Sequence, residues 1–393
     1  MFKFLKKIVD IVAELRSFYT FYSKISKADR DIVFYAEDKP SYTYFAGLID
    51  CLTKDDDMRI CYVTSDRNDP LFSSGNKNIK TLYINKLLFL FTITLNSKLL
   101  IMTMPDLHQL HVKRSERGTH HVYMFHNIGS SFPVIRFGAI FFYDTVFCSG
   151  RHHVEEIRRQ EELYKLKKKN LVEFGYWRLE KIYADYKQYH LTHQKKPTEF
   201  KARILLGPSW GKQSILDLCG SRLIRILLDA GYEVIVRPHP MTRKTNPQLL
   251  DSLNKEFKGE ENYVFEENIA SVDSLFTSDI LVCDWSGLTF EYAFGTERPV
   301  LFIDVPQKIV NERYKEVNIE PIDVGIRKRI GEVLGLEELE KAPAVIERML
   351  KAKDAYVNEI RAARSEYVYN FGSSSRAGAD FIKRFIKKGG TRQ

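Results

Sequence analysis

Apolar residues gather along this chain in short blocks set between polar stretches. In the first half the blocks are DIVFYAE (31–37), RICYVTS (59–65), KTLYINK (80–86), SKLLIMTM (97–104), HHVYMFHN (120–127) and DTVFCSG (144–150). They are short and rich in β-branched and aromatic residues, as strands are, and stretches of helical pattern separate them. That alternation predicts a parallel sheet with helical crossovers. The charged stretch Arg151 to Lys169 predicts a surface helix ending near Asn170. The polar segment YKQYHLTHQKKPTEFK (186–201) breaks the pattern and predicts an interdomain linker.

The alternation then restarts. ARILLGPS (202–209), YEVIVRP (232–238), NYVFEE (262–267), DILVCD (279–284) and RPVLFID (298–304) predict strands, with helices up to Ala230, near 246–257 and from Ser286. A charged, mostly helical tail runs from Glu337 to Lys388. The expected fold class is α/β, with two Rossmann-like domains facing a cleft. Residues 1–185 form the first, which would receive the acceptor, and 201–393 the second, which would bind a nucleotide donor and carry the tail.

The first residues are amphipathic. Phe4, Ile8, Ile11, Val12, Leu15 and Phe18 recur at helical spacing, with Lys3, Lys6, Lys7 and Arg16 interleaved. Two readings stand: a helix lying on anionic lipid, or a helix that packs a domain and leaves one face in water. The stretch lacks the pattern of a signal peptide, and LLFLFTITL (87–95) is too short to span a bilayer. The expected location is the cytoplasm, and under the first reading the inner face of the cell membrane.

Composition narrows the partners. The 393 residues are 44% hydrophobic, enough for two cores, and the net charge is +9. Such an excess suits an anionic partner: a phosphate, a nucleotide, or an acidic membrane surface. Nucleic acid is set aside, because the cations are dispersed and no aromatic-interleaved binding motif appears. The five cysteines stand apart in odd number and without metal-site spacing, so neither a disulfide framework nor a metal site is expected.

Polar residues at strand ends carry the candidate chemistry, because open α/β sheets bind ligands there. EVIVRPHP (233–240) ends a strand on Arg237 and His239 in a proline frame. Arg237 can fork onto phosphate oxygens, and His239 can donate to a diphosphate. LLGPSWG (205–211) is a strand-to-helix turn with Gly207, Ser209 and Trp210; the indole would cover a base or sugar, or plug the surface. In DILVCDWSGLTFEYAFGTERPVLFID (279–304), Asp284 ends a strand, and Ser286, Gly287 and Thr289 open a helix whose N–H groups suit an anion. Glu291 would accept from ribose hydroxyls. In the first half, YMFHNIGSS (123–131) ends a strand on His126, a candidate general base.

Together, MFHNIGSS…YDTVFCSG, LLGPSW, VIVRPHP and the 279–304 stretch resemble the CDP-glycerol glycerophosphotransferase family, which includes teichoic-acid primases and polymerases. The late YNFGSSSRAGADFI (369–382) is similar to that family's end. The resemblance implies a GT-B-type fold and metal-independent transfer from a CDP-activated donor, with no cofactor. It places His126 on the histidine that activates the acceptor hydroxyl and His239 on the one that contacts donor phosphates. Asp284, Ser286, Gly287 and Glu291 fall on the family's donor-helix positions. Two positions depart from its pattern: Asn127 where glycine is usual, and Gly287 where a second serine is usual.

Three functions follow. The first is transfer of glycerol phosphate, or a related polyol phosphate, from a CDP donor to a hydroxyl of a lipid-linked or polymeric acceptor in the cell envelope. The second is a nucleotide-sugar-dependent glycosyltransferase of the same fold in surface polysaccharide synthesis. The third is a non-catalytic nucleotide or polymer binder.

Overall fold

The computed structural model describes residues 2–110, 112–193, 199–266, 268 and 271–389, with side chains from Asp10 onward. The lysines and apolar residues expected at positions 3 to 8, and the centre of the expected linker, lie outside the described side chains and residues.

Two wholly parallel sheets organise the chain. The first has seven strands: β1 (Ile32–Ala36), β2 (Ile60–Thr64), β3 (Ile79–Tyr83), β4 (Leu99–Met102), β5 (His120–Met124), β6 (Thr145–Cys148) and β7 (Asn170–Glu173). Their spatial order is β3-β2-β1-β4-β5-β6-β7. The second has six: β8 (Arg203–Leu206), β9 (Glu233–Val236), β10 (Tyr263–Phe265), β11 (Ile280–Cys283), β12 (Val300–Asp304) and β13 (Gly331–Gly335), in the order β10-β9-β8-β11-β12-β13. Both orders reverse direction beside their first strand, β1 against β4 and β8 against β11, which is the doubly wound pattern.

The apolar runs are continuous because helices cover both faces of each sheet. Side-chain alternation sorts each run into two cores. In β1, Val33 and Tyr35 join one cluster, while Ile32, Phe34 and Ala36 join the other. In the second sheet Ile204, Leu206, Ile280 and Val282 face one way, and Leu205, Leu281 and Cys283 the other. The register Ile280↔Ile204 keeps each pair on one face.

Two helices tie the units together by crossing between them. Trp177–Thr192 follows β7, yet buries Leu179 and Ile182 among Phe290, Ala293 and Phe294 of the second unit. It also continues through the start of the segment expected as linker. Ser374–Lys387, read with the second unit, buries Ala379 and Ile382 against Phe45, Leu48 and Phe174 of the first. Arg376 and Lys383 on that helix pair with Asp56 at 2.8 and 3.1 Å. The tail therefore follows the second unit in sequence and packs on the first.

The amphipathic first helix, Phe2–Tyr19, is docked on one edge of the first unit. Glu14 is buried and accepts from the backbone N–H groups of Asn85 and Leu87 at 3.0 and 2.7 Å. Asp10 pairs with Arg67 at 2.7 Å. The opposite side leaves Ile11, Val12, Leu15 and Tyr19 exposed.

Candidate active site

Four strand ends of the second unit converge. β11 ends on Asp284, which is 2% exposed; its Oδ1 accepts from Ser209 N at 2.7 Å and its Oδ2 from Ile215 N at 3.0 Å. One carboxylate thus ties down the turn after β8 and the start of helix Ile215–Asp229. Burial raises its pKa, and these donors oppose the shift. Gly207 is required by packing: a β-carbon there would lie 2.6 Å from Leu288 Cδ2. Gly211, at φ +105°, closes the turn.

His239 leaves β9 as the cap of helix Pro240–Thr245, its Nδ1 accepting from Met241 N at 3.0 Å. An acceptor Nδ1 has no proton, so the neutral ring carries its hydrogen on Nε2. The ring stays neutral near pH 7: burial and the positive charge of Lys308 bring its pKa down to about 4. Trp210 lies beside it, ring centroids 6.1 Å apart. Above the indole, 3.1 Å from its centroid, sits the ammonium of Lys308, delivered by the loop after β12. Among the described residues no carboxylate lies within 4 Å of Lys308, and burial lowers its pKa to about 8.

His126 leaves β5 in the first unit. Its Nδ1 lies 3.1 Å from the Thr103 carbonyl oxygen, which can only accept. Nδ1 therefore carries the proton, and Nε2 of the neutral ring holds the lone pair. The residue is exposed, with protein packed close around the ring. That desolvation lowers its pKa; the Thr103 bond and the charge of Asp38 oppose the shift.

The seam beside His126 joins the two units. A β-carbon at Gly287 would lie 3.1 Å from Asn127 Oδ1, and that oxygen accepts from Gly129 N at 3.1 Å. The Tyr176 hydroxyl lies 3.0 Å from the His126 carbonyl and 2.9 Å from Glu291 Oε1. Arg178 completes this link with a 2.7 Å ion pair to Glu291. Farther along, Ser130 N donates to Asp323 at 2.7 Å and Ile322 N to Ser130 Oγ at 2.9 Å.

Gly207, Ser209, Trp210, His239, Asp284, Ser286 and Gly287 thus cluster at the strand ends. Three other expected site residues have side chains engaged elsewhere. Arg237, expected on phosphate, is 7% exposed; its Nη1 meets Glu266 at 2.7 Å, the Ser271 carbonyl at 2.9 Å and Ser274 Oγ at 3.2 Å. Thr289 is buried with its hydroxyl 3.0 Å from Cys283 Sγ. Glu291, expected on ribose, is engaged by Arg178 and Tyr176. Sequence reasoning missed Lys308, Tyr176 and Arg178. Lys308 follows a strand end, and that position is the one signal that could have found it.

The model of one protein family, CDP-glycerol:poly(glycerophosphate) glycerophosphotransferase, matches residues 17–317. This stretch includes both histidines and every strand end of the cleft. The chain belongs to this family.

The glycerophosphotransferase moves glycerol phosphate from a CDP-activated donor. Its fold is similar to that of the wall teichoic acid polymerase TagF soaked with CDPG: TM-score 0.57, 16% identity, covering 98% of this chain and 100% of that one. It is also similar to the UDP-GlcNAc 2-epimerase of Neisseria meningitidis bound to UDP-GlcNAc, with TM-score 0.54, 12% identity and coverage of 91% and 99%. A glycosyltransferase of Rickettsia africae gives TM-score 0.52 at 12% identity, covering 91% and 99%. At these identities the likeness is one of fold, the GT-B architecture. No curated protein matches the chain in sequence. The sugar-transfer alternative rests on that shared fold alone, and the family match fits it less well.

Proposed function

We propose that the glycerophosphotransferase divides its chemistry between two histidines held in opposite tautomers. The observation carrying this reading is that each Nδ1 is fixed by a backbone group of opposite polarity, Thr103 O for His126 and Met241 N for His239. His126 Nε2 takes the proton of the acceptor hydroxyl as its oxygen attacks the β-phosphorus of the donor. The new O–P bond forms as the bond from that phosphorus to the bridging oxygen breaks, and CMP leaves with the bonding pair. His239 Nε2–H donates to a phosphate oxygen. Lys308 and the N-terminus of helix Leu288–Thr296 supply positive potential where charge builds up. Asp284, Ser209 and Ser286 shape this donor pocket, and Trp210 covers it. Phosphoryl transfer needs little from a protein beyond such positioning and charge.

The acceptor in this reading is the terminal hydroxyl of a polymeric or lipid-linked glycerol phosphate chain. Peripheral attachment to an anionic membrane belongs to the same proposal. Ile11, Val12, Leu15 and Tyr19 are exposed on the first helix together with Arg16, and Phe89 and Leu90 are exposed on helix Leu88–Thr94. Exposed apolar patches of this kind mark interaction surfaces. Among the described residues no helix is long and apolar enough to cross a membrane.

Incubation with CDP-glycerol, CDP-ribitol and nucleotide sugars tests the reaction. CMP release from a CDP-polyol is expected. Release of a nucleoside diphosphate from a nucleotide sugar would overturn it.

A further inference from the structure

The first sheet has a second polar concavity at the end opposite His126. It is a pocket of about 710 Å³, built where β5, β6 and β7 begin. Its two walls are basic. One is the loop entering β7, with Lys167, Lys168 and Lys169; the other is the end of helix Ser374–Lys387 with the next residue, giving Arg384 and Lys388 one turn apart. Arg114 also lines the pocket. Among the described residues the only carboxylate on the lining, Asp144, is taken up: Arg114 holds it at 2.9 Å, and its pKa is held well below the usual carboxylate range. Lys167, Lys168, Arg384 and Lys388 are exposed, and among the described residues none has a carboxylate within 4 Å.

The fold holds these walls in place. Lys169 is buried, its backbone N–H bound to Glu161 and its ammonium to the Phe141 carbonyl at 3.0 Å. Phe385 packs on His120, ring centroids 4.6 Å apart. A pocket of this volume falls in the range of ligand sites, and a concavity lined by one sign of charge concentrates counter-ions.

We propose that this pocket binds phosphodiesters of a poly(glycerol phosphate) acceptor several repeats away from the end that reacts. Free cations on two facing walls suit a chain of repeated charges better than a single headgroup. β5 and the two residues after it run from the pocket at His120 to the cleft at His126, about 20 Å at ~3.3 Å per residue. An extended polymer can span that distance along the edge strand β7. Shorter acceptors would reach the cleft without touching the pocket. This inference rests on the acceptor reading above.

The test is direct binding of glycerol phosphate oligomers, short and long, to the full chain, beside CMP binding and turnover on the short acceptor. The variant is Lys168→Glu with Arg384→Glu, one charge reversal on each wall, both exposed. The unmodified protein should bind the long oligomer more tightly than the short one, more so at low salt. The double variant should lose about tenfold for the long oligomer and nothing for the short one, for CMP or for turnover. Equal affinity of both proteins for the long oligomer overturns the proposal. So does loss of anionic-vesicle binding with polymer binding intact, which would make the pocket a headgroup site. Polymer binding as expected, without CMP release from CDP-glycerol, would sink the proposed reaction and leave the pocket assigned.

Discussion

Asn127 and Gly287 meet across the seam between the two sheets, so close that a β-carbon at 287 would stand 3.1 Å from the asparagine Oδ1. The family resemblance read from the sequence would place glycine at 127 and a second serine at 287. At this spacing, a side chain at either position presses on the other.

This closeness predicts coupling. Gly287→Ser should push against Asn127 and raise KM roughly fivefold, about 1 kcal/mol. Asn127→Gly alone should loosen the seam, and the double variant should recover most of the loss. A steady-state double-mutant cycle measures this; strict additivity would mean the two positions act separately.

The pH profile of kcat/KM should be bell-shaped. A base needs its lone pair, so the rate falls as pH drops through the His126 pKa, which desolvation sets below its usual value. Lys308 must be charged to hold phosphate, so the rate also falls as pH rises through about 8. His239, at about 4, stays neutral across this window. Lys308→Arg should move the basic limb out of range, because arginine does not deprotonate there. Lys308→Ala should cost about tenfold or more, the worth of a charge-assisted contact. His126→Ala should cost about 10²–10⁴-fold in kcat with the fold intact. A basic limb unchanged in Lys308→Arg would show that another group sets it.

Arg237 should matter for stability first. Its guanidinium and Glu266 are both nearly buried, so Arg237→Ala leaves a carboxylate without its counter-charge. About 3 kcal/mol should be lost in urea unfolding. His239→Ala removes only a helix cap, about 1 kcal/mol, yet should abolish most turnover. If Arg237→Ala unfolds like the unmodified protein and fails only in donor binding, the arginine belongs to phosphate after all.

The first helix both packs and presents. Deleting it would remove Glu14 and take the acceptor from the Asn85 and Leu87 N–H groups, so point changes are the cleaner probe. Ile11→Ser with Leu15→Ser touches only the exposed face. Vesicle sedimentation should show loss of binding to anionic lipid with thermal stability kept. Binding unchanged in this variant would assign the stripe another role.

The sequence made the central strands legible because each is a continuous apolar run with a helix on both faces. It concealed β7 and β13, two of the four edge strands, Asn170–Glu173 and Gly331–Gly335. These are half-exposed and flanked by lysines or glycines, so their patterns are weak. Candidate site residues at strand ends were readable from topology, Asp284 and His239 among them. What their side chains touch was not. Arg237 and Glu291 look like ligands for phosphate and ribose by type and place, but their partners, Glu266 and Arg178, lie at sequence distances no local pattern reveals. Lys308 belongs to a loop without periodicity, and only the fold sets it above Trp210.

The division of roles between the histidines can be measured without turnover. Long-range nitrogen–proton correlation spectra of the protein carrying isotope-labelled histidine, assigned through His126→Gln and His239→Gln, report which ring nitrogen holds the proton. Near neutral pH, the account predicts His126 protonated on Nδ1 with Nε2 bare, and His239 protonated on Nε2 with Nδ1 bare. Finding His126 protonated on Nε2, or both rings in the same tautomer, would contradict it.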